Sequence, residues 1–291
     1  MTALIEVRNA LISETTGLAH EEAFAEYQSL PLPIGKGVWR WWHIPSQQWH
    51  CIKVRSDKSG RYLLDHECEV LAQIQQPCAP QLIQKIVTPH QTIMITRYVE
   101  GNTLAAVIRR KGPGFQGHQQ VMMHLVDALV ECHKSHIVHG DIKPNNLILA
   151  VGDASGVGNG VGNGDSDDCD STVRLIDFGH AMAVGSNLSQ LSYRGFSPSY
   201  SHPSLKQGRI RVTPDLDWYA FFVVMHVTCH GTLPTLNWAS EQPLIDGFLS
   251  MIQGSGLPTF YQRYLSQRLA DLDLSVSHEL GLNKHRNQCS E

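Results

Sequence analysis

His139-Gly140-Asp141-Ile142-Lys143-Pro144-Asn145-Asn146 lies between two short apolar runs, Ile137-Val138 and Leu147-Ile148-Leu149. Polar groups packed this densely between strand-like runs read as a loop held by a rigid scaffold, the setting in which catalytic residues concentrate. Asp141 can take a proton from a hydroxyl, Lys143 can offer charge to a phosphate, and Asn146 can hold a metal ion. Phosphoryl transfer needs that division of labour, because the protein mainly positions the groups and neutralises developing charge. A second acid set in an apolar run, Leu175-Ile176-Asp177-Phe178-Gly179, follows downstream.

The first stretch resembles the catalytic loop of the eukaryotic-type protein kinases, H-R-D-x-K-P-x-N, with Gly140 where Arg is usual. The second resembles the D-F-G of the same family. The resemblance implies an α+β, bilobal fold. A helical extension at 1–30 would lead into a small β-rich lobe at 31–98, followed by an abbreviated helical lobe at 99–291. It also implies an ATP- and Mg²⁺-dependent kinase acting on Ser/Thr hydroxyls of proteins. Asp141 would be the base, Lys143 its partner, and Asn146 and Asp177 the metal ligands. Lys143, two residues after the base, is the residue that Ser/Thr kinases carry there.

Working outward, Ile34-Gly35-Lys36-Gly37-Val38-Trp39-Arg40 has the form of a Gly-rich phosphate loop, with Arg40 at the third glycine position. Glycines let backbone N–H groups approach phosphates, so Gly35 and Gly37 would hold nucleotide; a plain hairpin turn is the alternative. Trp49 to Val54 alternates like a strand and resembles V-A-I-K, which makes Lys53 the contact to the α- and β-phosphates. The apolar positions Leu64, Val70, Leu71 and Ile74 predict a helix, and Glu67, with Glu69 as runner-up, would pair with Lys53. Thr96 to Asn102 resembles the hinge, where the backbones of Arg97 and Val99 would bond adenine. Leu104–Arg110 and Gln119–Ser135 read as helices. His133, His136 and His139 recur at a spacing that suits a metal, yet the kinase register makes them packing residues.

Between Ala150 and Thr172 a Gly/Asp-rich insert reads as flexible coil without the fixed positions of a calcium loop. Gly195 to Ser204 resembles the end of an activation segment. Ser197 stands where a hydroxyl lies near the catalytic Asp and Lys, and Ser204 replaces the usual Glu. With Gly140 offering no charge to a phosphorylated segment, activity independent of such phosphorylation is expected. Asp215 to Phe222 resembles the D-W-W-A-L-G helix start, with Asp217 tying that helix to the catalytic loop. Beyond Pro234, two further helices are expected, with no family motif to place them.

The chain has 291 residues, 23 basic and 27 acidic, a net charge of −4 and no Lys/Arg run, so neither a nucleic-acid nor an anionic-membrane partner is implied. Glu6 and Arg8 interrupt the start, and the longest apolar tract, Trp218 to Met225, is too short to span a bilayer. Seven cysteines, an odd number without Cys-x-x-Cys, predict reduced thiols and a cytoplasmic location, and a monomer is expected. Two other readings share parts of the pattern: a small-molecule phosphotransferase of the aminoglycoside or choline kinase type, and a pseudokinase scaffold.

Overall fold

A computed structural model describes residues 26–28, 30–74, 77–150, 172–188, 197–202, 205, 211–234 and 242–272. Most of the expected extension at 1–30 falls outside the described residues. So do the insert between 151 and 171, both ends of the Gly195–Ser204 stretch, and the chain after 272. The chain divides into two compact units, Met1–Val99 and Glu100–Glu291.

In the first unit, β1 (Leu32–Gly35), β2 (Val38–His43), β3 (Gln48–Arg55), β4 (Leu82–Val87) and β5 (Thr92–Arg97) form one antiparallel sheet in the order β1-β2-β3-β5-β4. The two-residue side-chain period of a strand gathers Trp41, Ile52, Ile86, Ile93 and Ile95 into one core. Burying a large apolar side chain in this way contributes about 1.5–3 kcal/mol. Tyr27 joins that core, 5.0 Å from the Trp41 ring, with its hydroxyl hydrogen-bonded to His50 Nδ1 at 2.6 Å. The Gln28 N–H donates to the Trp42 carbonyl (3.0 Å), and the Ile44 N–H to the Glu26 carbonyl (2.9 Å). Pairing with the sheet thus begins ahead of residue 31, through an isolated bridge of Tyr27 to His43, and Glu26–Gln28 is not helical.

Helix α1 (Lys58–Leu71) begins where the Asp57 carboxylate accepts the Gly60 N–H at 2.8 Å. It therefore starts well before Leu64 and stops short of Ile74. Leu64, Glu67, Cys68 and Leu71 follow the i, i+3, i+4, i+7 stripe of a core-facing helix. A glutamate on that stripe requires a buried partner.

The second unit carries two small antiparallel sheets. One joins β6 (Gly101–Thr103), β8 (Leu147–Ala150) and β9 (Thr172–Leu175); the other pairs β7 (Ile137–Val138) with β10 (Met182–Ala183). Around them run α2 (Leu104–Lys111), α3 (His118–Lys134), α4 (Asp215–His230), α5 (Gln242–Gly254) and α6 (Thr259–Asp271). Every residue of α4 from Leu216 to Met225 is buried, so the helix is apolar all round, as a central core helix must be. Phe222, at a position where the family keeps glycine, stacks on Phe248 of α5 with ring centroids 5.5 Å apart. No helix among the described residues is long and apolar enough to cross a membrane. Cys51, Cys68, Cys78, Cys132 and Cys229, the cysteines among those residues, are not joined in disulfides.

Candidate active site

The loop that follows β7 is held from beneath by one carboxylate. Asp217, in the first turn of α4 and fully buried, accepts the His139 N–H on Oδ2 (2.8 Å) and the Gly140 N–H on Oδ1 (2.9 Å). His133, in the last turn of α3, reaches Asp217 Oδ2 at 2.9 Å. Burial pushes the Asp217 carboxyl up. The His133 hydrogen bond, the charges of His133 and His139 and the Gly140 N–H outweigh burial and hold the carboxyl below its ordinary value. His139 bonds the Ile176 carbonyl through Nε2 (3.1 Å) and packs on Phe178 at 4.6 Å. The three spaced histidines are therefore used separately, two as hydrogen-bonding supports and His136 as a positive-φ residue (φ 57°) before β7.

Gly140 is present for a steric reason that composition cannot reveal. Its φ is +76°, and a Cβ there would lie 2.7 Å from the His180 carbonyl oxygen and 2.8 Å from the Met182 side chain. Gly140→Ala is expected to cost about 1–3 kcal/mol from the left-handed backbone alone, and to displace the loop as well. A urea midpoint equal to that of the unsubstituted protein would remove this account. The same clash bars an arginine from this position in the present conformation.

On that base the candidate catalytic side chains converge. Lys143 Nζ lies 2.6 Å from Asp141 Oδ2 and 3.0 Å from Ser197 Oγ, and the Ser197 hydroxyl donates to Asp141 Oδ1 at 2.7 Å. The Asn146 amide donates to the Asp141 carbonyl (2.9 Å) and to Oδ2 (3.0 Å). Both Asp141 and Asn146 are buried, so these charge-assisted bonds act in a poorly screened environment. Because the Asn146 nitrogen is committed to Asp141, Oδ1 is the atom it can offer a cation.

Asp177 adopts φ 69°, ψ 66°, the left-handed region, which aspartate tolerates better than most residues. His180, one residue beyond the D-F-G stretch, is held below the usual imidazole range chiefly by burial, against the upward pull of Asp141 and Asp177. It is the charge neighbour that sequence reasoning missed; its only signal was adjacency to Gly179.

Within the first unit, Lys53 Nζ pairs with Glu67 Oε1 at 2.7 Å, and both side chains are largely buried. Glu67 is thus the partner and Glu69 is not, because only Glu67 sits on the buried stripe of α1. Gly35 ends β1, and Gly35 and Val38 are register partners, so Lys36-Gly37 is a two-residue turn. Gly37 has φ +65°, as a tight hairpin requires. The Arg55 guanidinium clamps that turn through the carbonyls of Gly37 (3.0 Å) and Lys36 (3.3 Å). Arg40, at the expected third glycine, instead pairs with Cys51 in β3 and stacks over Trp49 at 4.9 Å. The Arg97 N–H is donated to the Gln81 carbonyl (2.9 Å), which leaves its own carbonyl as the group it can offer a base. Val99 closes the first unit.

A sequence model of the protein kinase domain matches residues 38–263, which carries the likeness past Pro234 and into α6. Among curated proteins, the chain is 25% identical over 198 residues to the SNF1-like protein kinase ssp2 of Schizosaccharomyces pombe, covering 66% of this chain and 31% of that protein. It is 25% identical over 182 residues to the sucrose non-fermenting protein kinase 1 of Fusarium virguliforme, covering 62% of this chain and 23% of that one. To the serine/threonine-protein kinase SIK2 of Gallus gallus it is 24% identical over 217 residues, covering 74% and 23%. The chain spans less than a third of the length of these relatives.

Proposed function

This chain belongs to the protein kinase family, and on that premise we propose that it transfers the γ-phosphoryl group of ATP to Ser or Thr hydroxyls of proteins. One observation carries the reading. The Ser197 hydroxyl already donates to Asp141 Oδ1 while Lys143 bonds both groups, the arrangement in which a carboxylate receives a hydroxyl proton beside a cation. A substrate hydroxyl entering at Asp141 meets the same pair. Lys143 then offers its ammonium charge to the phosphoryl oxygens, and Lys53, fixed by Glu67, offers its own to the nucleotide phosphates. Gly35 and Gly37 would present turn backbone to the phosphates, and the Arg97 carbonyl and the Val99 backbone would hold adenine.

The donor set suits a hard cation: one carboxylate from Asp177 and the amide oxygen of Asn146, both oxygen ligands. Bound Mg²⁺ would neutralise phosphate charge. Asp177→Ala is therefore expected to abolish the Mg²⁺-dependent tightening of ATP binding, measured by titrating nucleotide with and without the metal. Equal tightening in the variant would remove Asp177 from the ligand set. A cytoplasmic location is part of the same proposal, supported by cysteines that, among the described residues, are not joined in disulfides.

The deciding experiment supplies γ-labelled ATP and Mg²⁺ with a general protein acceptor, an aminoglycoside and choline in parallel. Label is expected on Ser/Thr of the protein. Label on a small molecule would favour the phosphotransferase reading, and nucleotide binding without transfer the scaffold.

A further inference from the structure

We propose that a cavity beside the catalytic loop is a specificity pocket for the protein substrate, and that it takes an uncharged apolar side chain close to the acceptor hydroxyl. The proposal rests on the protein-kinase reading above. The cavity has a volume of about 190 Å³. Ala105 and Ile108 of α2, Val227 of α4 and Pro144 of the loop give it four apolar side chains. Asn145 and Tyr200 add neutral polar groups, and Lys143 completes the lining.

Position links the cavity to the reaction. Lys143 lines it, and the same ammonium touches Asp141 Oδ2 and Ser197 Oγ. A polypeptide whose hydroxyl reaches Asp141 advances only about 3.3–3.6 Å per residue. A side chain seated against Lys143 therefore belongs to a residue within about three of the acceptor, by that spacing. Size agrees, since typical small-molecule sites begin near ~300 Å³ and this cavity suits one side chain.

Chemistry decides which side chain. Among the described residues no carboxylate lines the cavity, and the one cation among them, Lys143, is already paired with Asp141. A substrate Arg or Lys would bury its charge without a counter-ion and beside a like charge, which is costly. Arg109, exposed in the last turn of α2 directly after Ile108, adds to the positive field. A Leu, Ile, Met or Val gains burial with no such penalty.

The test is a positional-scanning Ser/Thr peptide library phosphorylated by the full chain, run beside Val227→Glu. The unsubstituted protein should prefer Leu, Ile, Met or Val over Arg by roughly tenfold or more at one position within about three of the acceptor. Val227→Glu, which places a carboxylate in the lining, should turn that preference toward Arg or Lys at the same position. Should this variant fail to fold, Ala105→Glu introduces the charge from α2 instead. Phosphorylation with no preference, with an acidic or basic preference, or with a profile that neither glutamate alters, overturns the pocket while leaving the kinase reading intact. Phosphorylation of no peptide and no protein overturns both.

Discussion

Asp141→Asn is expected to lower the turnover of phosphoryl transfer by about 10²–10⁴-fold, the usual worth of a general base, with little change in ATP affinity. The isosteric amide keeps one oxygen that can still accept the Ser197 hydroxyl, now at 2.7 Å from Oδ1, so local packing survives. It cannot take the hydroxyl proton. Its NH₂ group would also face the Lys143 ammonium, which sits 2.6 Å from Oδ2, and the Asn146 amide at 3.0 Å, so donors oppose donors where charge-assisted bonds existed. Lys143 should therefore lose its fixed position, adding a positioning defect to the chemical one. Single-turnover rates, nucleotide titration and thermal melting of the same preparation separate the three effects. A rate within a few-fold of the unsubstituted protein, from a folded variant that binds ATP, would remove Asp141 as the base.

The residues around Asp141 were legible because their chemistry is local. His139 to Asn146 and Leu175 to Gly179 each place polar groups at fixed steps between apolar strands, and β8 and β9 form at those flanks. The choice of Glu67 was legible for a related reason, since helical periodicity assigns that position to the buried stripe. Other features depend on contacts between segments distant in the chain. Gly140 read as a lost arginine charge, whereas its conformation answers to the His180 carbonyl arriving from beyond β9. Arg40 read as a defective glycine position, whereas the hairpin turns earlier, at Lys36-Gly37, and needs no glycine at 40. Tyr27 falls within the helical extension expected at 1–30; its ring is drawn into the sheet by Trp41 and by His50, which lies 23 positions away. The cavity joins Ala105, Pro144 and Val227, which no periodicity connects.

Asp217→Ala is expected to destabilise the chain by about 2–6 kcal/mol, since each buried donor left without an acceptor costs roughly 1–3 kcal/mol. The backbone donors left behind are the N–H groups of His139 and Gly140, with the His133 ring a further partner, and Asp217 is fully buried. Set against a typical total of about 5–15 kcal/mol, that loss is large. Asp217→Asn should cost less, because one amide oxygen still accepts one N–H, while its NH₂ faces the other donor. The contribution of the charge has a definite pH window. The folded-state carboxyl is held below its ordinary value, so its stabilisation is complete above the unfolded value of about 3.9 and fades as pH falls through the lower folded value. As Asp217 takes up a proton, the stability gap between the unsubstituted protein and Asp217→Asn should therefore shrink below about pH 4. Urea midpoints at several pH values measure it. A gap that widened below about pH 4 would mean the carboxyl is protonated in the folded protein, and that Asp217 does not hold the loop after β7 as an anion.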